Sequence, residues 1–234
     1  MDTKISYMRQ TDLFNPINQK YKIVVFGAGA LGSFITLNLA KLGFNDITVY
    51  DNDFVNAYNI PNQFYRLKDV GELKVNALRN IIKDFCDLEI KVDTNRVTEK
   101  TEINVELNTI FIVTFDNLKS RKIIYDKLKD YNCYCLDVRA GGEEFYIYSI
   151  NTFDDEALKI WKNSFKIIPT KLKCGAKSII YTNLAVASEA CNIVKKINND
   201  EEYPIKLIRH MKYYDILHSK TNDVKKSKLS VTEK

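Results

Sequence analysis

Cysteine is scarce in this chain and badly spaced for any covalent or metal framework. The five cysteines, Cys86, Cys133, Cys135, Cys174 and Cys191, are odd in number and form no Cys-x-x-Cys pair. That argues against a disulfide network and against a four-cysteine zinc site. Histidine adds only His210 and His218, so no structural zinc is expected. Long apolar runs are missing too: none approaches the ~20 residues that cross a bilayer, and the opening MDTKISYMRQ lacks the apolar stretch of a signal peptide. A reduced, cytoplasmic protein without membrane contact is the expectation. No internal repeat and no second core is visible in the pattern. The charge excess is small, +5 over 234 residues. Much of it sits in Lys220, Lys225, Lys226, Lys228 and Lys234, which read as a solvated end rather than as a nucleic-acid or acidic-partner site.

What the chain does have is concentrated between Tyr21 and Asp53. A β-branched and aromatic run, Lys22 to Phe26, stops at Gly27-Ala28-Gly29-Ala30-Leu31-Gly32. A helical pattern follows, with Phe34, Ile35, Leu37, Leu39, Ala40 and Leu42 apolar, and Gly43 closes it. A second strand, Ile47 to Tyr50, delivers Asp51. Strand, glycine turn, helix, strand and acid in this order bind an adenine nucleotide. Gly27 allows the tight turn, Gly29 lets the backbone approach phosphate, and Gly32 lets the helix pack on the strand. The helix N-terminus offers free N–H groups and a positive dipole end, and the Asp51 carboxylate can accept bonds from ribose hydroxyls.

Beyond Asp51 the stretch from 51 to 66 is rich in Asn and Asp and broken by Pro61, which predicts an irregular loop. It lies just past a strand's C-terminal end, where open α/β sheets bind ligands. A helix opens at Lys74, with Val75, Leu78, Ile81, Ile82 and Phe85 apolar. A lysine in a first turn gains nothing from the helix dipole, so its position suggests reach toward a phosphate. Strands are predicted at 89–93, 109–115, 133–138 and 144–150, the second being continuous enough to be covered on both faces. Asp116 ends that strand and Asn117 can cap the helix that carries Arg121. A short helix is expected near 156–161 and a long one over 177–196. The reading is a doubly wound α/β fold with a mostly parallel sheet and a Rossmann-like nucleotide-binding half. An arm occupies 1–20, the domain 21–200, and an extension 201–234, with its last ~15 residues disordered.

From about Tyr7 to Ile197 the motifs resemble the ThiF/MoeB/HesA-type adenylyltransferases, relatives of the ubiquitin-activating enzymes, as a compact standalone member. The family's Asp-x-Asp-x-Val and Ser-Asn-Leu-x-Arg-Gln are similar to Asp51-Asn52-Asp53-Phe54-Val55 and Tyr58-Asn59-Ile60-Pro61-Asn62-Gln63. Its Gly-x-x-Lys lysine matches Lys74, its Asp-Asn with a following arginine matches Asp116, Asn117 and Arg121, and its N-terminal Arg-Tyr-x-Arg-Gln resembles Ser6-Tyr7-Met8-Arg9-Gln10. The resemblance implies ATP and Mg²⁺ as cofactors and a ubiquitin-like or small carrier protein, or a peptide, whose carboxyl terminus becomes an acyl-adenylate. It implies Asp51, Asp53, Asn59, Gln63, Lys74, Asn117 and Arg121 at the nucleotide, Asp116 on Mg²⁺, and Arg9 as a finger from the other subunit of a homodimer.

Two departures stand out. Asn62 takes the position of the family loop's second arginine, with Arg66 and Arg139 as candidates to compensate, and the zinc cysteines of many members are absent. Cys174, among Lys171, Lys173 and Lys177, is a candidate for a thioester because flanking cations lower a thiol's pKa; the alternative is a loop cysteine without chemistry. Cys133, Cys135, Cys86 and Cys191 read as packing. Two other functions remain open. A catalytically weakened relative would bind nucleotide or a ubiquitin-like partner without turnover. A nicotinamide dehydrogenase would share Gly27 to Asp51 only.

Overall fold

The computed structural model describes residues 5–166 and 179–213, together with the backbone of 215–221. The strand β1 (Lys22–Phe26) leads through the glycine turn into α1 (Gly32–Leu42), and β2 (Ile47–Tyr50) follows. Gly43 ends α1 at φ +113°, a left-handed conformation that only glycine adopts without strain. Next come α2 (Lys74–Cys86), β3 (Lys91–Asp93), β4 (Thr109–Val113) and α3 (Leu118–Leu128). The chain then makes β5 (Tyr134–Gly141), β6 (Glu144–Asn151), α4 (Asp155–Ser164), α5 (Ile180–Asn198), β7 (Pro204–His210) and β8 (Asp215–Thr221).

These strands form one sheet in the order β3-β2-β1-β4-β5-β6-β7-β8. The first five run parallel, and β6, β7 and β8 add antiparallel. The chain winds outward from β1 to β3, then returns across β1 to β4, so the direction of winding reverses between β1 and β4. Ligands of open α/β sheets bind beyond the strand ends at such a reversal.

Two apolar layers cover the sheet. One contains Ile23, Val25, Ile47, Ile110 and Leu136 with residues of α1, α2 and α5. The other contains Phe26, Phe111, Val113, Cys133 and Cys135 with Tyr125, Leu128 and Trp161 of α3 and α4. Every residue of β4 is buried, as its unbroken apolar run requires. Cys86, Cys133, Cys135 and Cys191 are buried free thiols, matching their reading as packing, and burial raises each pKa.

β7 and β8 carry the sheet past residue 200, beyond the end predicted for the domain. Proline opens β7, one of the few strand positions that tolerates it, and Arg209, in phase with buried Ile205 and Leu207, breaks the alternation. Among the described residues no helix is long and apolar enough to cross a membrane. Cys174 and the lysine-rich tail from 222 onward lie outside the described residues.

Candidate nucleotide site

Phe26 pairs in register with Tyr50 on one side and with Val113 on the other. The three strands therefore end on one level, and Gly27, Asp51 and Thr114 leave the sheet side by side. Gly27 turns at φ +104°, and a Cβ there would meet Thr114 Oγ1 at 2.7 Å. That hydroxyl donates toward the carbonyls of Phe26 and Gly27, both at 3.0 Å. A Cβ on Gly32 would lie 1.8 Å from the Gly27 carbonyl oxygen, whereas one on Gly29 would meet nothing within 4 Å. Packing dictates the first and third glycines. At the second, the space is left open by the protein, as an approaching phosphate requires.

Asp51 closes the turn from β2. Its Oδ2 accepts the Ala28 N–H at 2.7 Å and its Oδ1 accepts the Asp53 N–H at 2.8 Å. Burial raises the pKa of this carboxylate, and the Ala28 N–H and the Lys74 charge only partly offset it. Lys74 heads α2 and is 8% exposed. Its Nζ donates to Asp53 Oδ2 at 3.0 Å, and its N–H bonds the Asp53 carbonyl at 2.9 Å. Asp51, Asp53 and Lys74 thus form one cluster at the mouth of the turn.

The loop between β2 and α2 is built by its own polar groups. Asn59 is buried, and its Oδ1 accepts the Asn56 N–H at 3.0 Å. Among the described residues Gln63 Oε1 is buried with no hydrogen-bond partner, an orphan that a bound donor would satisfy. The Asn62 carbonyl accepts the Asn183 side-chain amide at 2.9 Å, so α5 steadies the loop. Neither arginine proposed to compensate for Asn62 is available. Arg66 is tied to Asp69 at 2.9 Å and to Asp84 at 2.5 Å, and Arg139 is tied to Asp137 at 2.5 Å and to Ser164 Oγ at 2.8 Å.

Beyond β4, Asp116 is exposed, and its side chain accepts the Asn117 amide at 3.1 Å. Asn117 caps α3 as predicted, its Oδ1 accepting the Ser120 N–H at 2.8 Å. Arg121 has a different engagement from the nucleotide contact expected of it. It is 5% exposed, its Nη1 donates to the Val113 carbonyl at 3.2 Å, and it forms an ion pair with Asp137. Asp137 also accepts the Trp161 indole N–H at 2.9 Å. Burial alone would push the Asp137 carboxyl up, but the guanidiniums of Arg121 and Arg139 outweigh it and hold the pKa below the usual range.

Arg9 is not brought to this site. The Gln10 side chain donates to the Leu42 carbonyl at 2.7 Å and Phe14 stacks on Phe44 at 5.0 Å. The arm therefore sits at the C-terminal end of α1, roughly 15 Å along the helix axis from Gly32. Arg9 itself is exposed. Among the described residues no three His, Cys, Asp or Glu side chains gather into a group able to hold a metal, so Asp116 would need oxygens from outside the chain to complete a cation's shell.

Thr114 and Asp137 are the site-bearing residues that sequence reasoning missed. Thr114 carried a signal, the first polar residue after the four buried apolar ones Ile110 to Val113, while Asp137 lies within a strand that reads as core.

The ThiF family model matches residues 9–232. The chain is 32% identical over 125 residues to the NEDD8-activating enzyme E1 catalytic subunit of Dictyostelium discoideum, covering 53% of this chain and 27% of that protein. It is 38% identical over 106 residues to the probable molybdopterin-synthase adenylyltransferase of Gracilaria tenuistipitata var. liui, covering 44% and 30%. The chain thus spans less than a third of the length of these curated relatives. Among solved structures, the fold is similar to PaaA, with a TM-score of 0.69 and 17% identity over 94% of this chain and 85% of that one. It is also similar to E. coli MccB with ATP, with a TM-score of 0.70 and 15% identity over 87% and 65%.

Proposed function

The chain belongs to the ThiF family, and on that premise we propose that it is an ATP- and Mg²⁺-dependent adenylyltransferase. It activates the terminal carboxylate of a small ubiquitin-like carrier protein or a peptide as an acyl-adenylate and releases pyrophosphate. The observation that carries this reading is the convergence of the glycine turn, Asp51, Lys74 and Asp116 beyond the ends of three adjacent strands. A dinucleotide dehydrogenase has use for the turn and Asp51, but none for a lysine held beside them or a carboxylate beyond β4. The names of the relatives, an activating-enzyme subunit and an adenylyltransferase, favour the same class.

In the reaction an oxygen of the substrate carboxylate attacks the α-phosphorus of ATP, and the bond to the β-phosphate oxygen breaks. The chain must hold the triphosphate and offset its charge. The first N–H groups of α1 and the open space at Gly29 receive phosphate. Lys74 passes from Asp53 to the triphosphate, since a dianionic oxygen cluster outbids one exposed carboxylate. Asp51 accepts the ribose hydroxyls with its remaining lone pairs, and the orphaned Gln63 Oε1 supplies an acceptor for an amine of the base while Asn59 shapes the loop. Asp116 fits a Mg²⁺ ligand: Mg²⁺ takes one or two carboxylates and completes its shell with phosphate and water oxygens. When bound, that ion neutralises the triphosphate and the departing pyrophosphate. Arg9 serves the site of a second copy of the chain, and Cys174 takes no part in adenylation, remaining a candidate for a later thioester.

Calorimetric titration of wild type and Lys74→Ala with ATP and with NAD⁺, each with and without Mg²⁺, tests this. Binding is expected to select ATP, to strengthen with Mg²⁺, and to weaken by roughly 10- to 100-fold in the variant, the worth of a charge-assisted hydrogen bond. Selective NAD⁺ binding, or an unchanged variant, would sink the reading.

A further inference from the structure

We propose that Asp137 is a positioning residue for Asp116, acting through Arg121; the inference rests on the adenylyltransferase reading. Only four residues, Thr114 to Asn117, separate the end of β4 from the start of α3. Asp116 rides on this connection and has little of its own to fix it, being exposed and, among the described residues, bonded by its side chain only to the adjacent Asn117 amide. Its location is therefore set by whatever holds the connection. One anchor is Thr114, which bonds the Phe26 and Gly27 carbonyls of the phosphate turn. The second is Arg121, whose Nη1 bonds the Val113 carbonyl at the last residue of β4 while the guanidinium comes from the first turn of α3. A single planar group thus clamps both ends of the connection to each other.

What holds the clamp is Asp137. Its carboxylate is fully buried; one oxygen pairs with Arg121 and the other accepts from Arg139 and from Trp161. Arg139 in turn reaches the Ser164 carbonyl and hydroxyl at the end of α4. The carboxylate therefore has both oxygens spoken for within the protein, and neither is offered to a ligand. A buried Arg121 and a half-buried Arg139 facing one fully buried carboxylate cannot rearrange cheaply, because Arg121 or Asp137 left without its partner would be a desolvated, unpaired charge. The arrangement is the kind that orients a metal-binding carboxylate from behind, here through a backbone connection and not through a direct bond.

Loosening the clamp should then damage chiefly what Asp116 does, since Thr114 still fastens the near end of the connection to the turn. Asp137 bonds Arg121, Arg139 and Trp161, which lie on α3, β5 and α4 and not on the turn, Asp51 or Lys74. The test measures ATP affinity with and without Mg²⁺ for wild type, Asp116→Ala and Asp137→Asn, with thermal melts alongside. Asp137→Asn is expected to lose the Mg²⁺-dependent gain by roughly 10- to 100-fold, the scale of outer-shell losses at metal sites, and to keep its metal-free affinity. Arg121→Lys, which keeps the charge but not the two-pronged reach, serves the same comparison should Asp137→Asn not fold. A full Mg²⁺ gain in the folded variant would overturn the proposal, as would a parallel loss with and without metal, since a purely structural role predicts that pattern. Wild type that binds ATP with no Mg²⁺ effect would overturn the function reading itself, and this proposal with it.

Discussion

At Asp51 a carboxylate must stay ionised where its surroundings resist the charge. Burial raises its pKa above the ordinary carboxylate range, although two backbone N–H groups and Lys74 pull the other way. For an acid raised in the folded state, the cost of ionisation is absent below the unfolded value and fully present once the pH exceeds the folded pKa. Asp51 therefore lowers stability at neutral pH, a cost set against the ribose recognition proposed for it. Asp137 has the opposite sign. Its depressed pKa contributes stability above the unfolded value that is lost as pH falls through the folded one. The two acids should separate on acidification: nucleotide affinity falls first, unfolding follows at lower pH. The ratio of ATP affinities of wild type and Asp51→Asn, followed from about pH 7 to 4, checks this, because the titration of ATP itself cancels. The ratio is expected to decline while the far-UV signal is still native. A constant ratio would mean that Asp51 does not meet the ribose. None of this was readable from the sequence, which offers Asp51 as a motif residue and hides Asp137 within an apolar strand; burial of a carboxylate is a tertiary fact.

Among the elements, the unit from β1 through α1 to β2 was legible because three local signals agree: a β-branched run, glycines at fixed offsets, and a 3.6-residue apolar period. The structure divides those glycines into two kinds. Gly32 is demanded by the protein, since a Cβ would lie 1.8 Å from the Gly27 carbonyl. Gly29 has a φ outside the left-handed region and no neighbour for a Cβ within 4 Å, so the fold itself does not demand it, and the proposed phosphate contact would. Gly32→Ala is accordingly expected to destabilise by at least ~1–3 kcal/mol, the cost of overpacking. Gly29→Ala should stay within about 0.5 kcal/mol of wild type yet bind ATP less tightly. Thermal melts and titrations of the pair decide it; tight ATP binding by Gly29→Ala would move the phosphate elsewhere. The antiparallel β7 and β8 were not legible for the converse reason. The local signals of β7 conflict, with proline first and Arg209 on the face of Ile205 and Leu207, and only the pairing of β7 with β6 and of β8 with β7 makes them strands.

In the whole molecule, the proposed role of Arg9 makes the site incomplete in a single copy. The nucleotide groups gather at the carboxyl ends of β1, β2 and β4, while the arm carrying Arg9 is fastened at the opposite end of α1. The arm is held firmly, yet it presents Met8, Leu13 and Ile17 at 82, 70 and 90% exposure. Apolar side chains on a fixed scaffold are what a symmetric interface would cover. A two-fold dimer in which each arm lies over the other copy's site would bury them and bring Arg9 to the triphosphate at once. Sequence alone offered Arg9 only by resemblance, since no local pattern tells which copy a side chain will serve. Arg9→Ala and Asp116→Ala should each be inactive as pure proteins when acyl-adenylate formation is assayed. Mixed and allowed to exchange subunits, half of the dimers pair an intact Arg9 with an intact Asp116 at one of their two sites. Activity near roughly a quarter of wild type is then expected from statistics alone for a two-fold assembly. A finger acting within its own copy gives no recovery, because every site then retains one of the two lesions. Failure to recover after subunit exchange has been confirmed by mass would therefore place Arg9 in its own subunit, or outside the reaction.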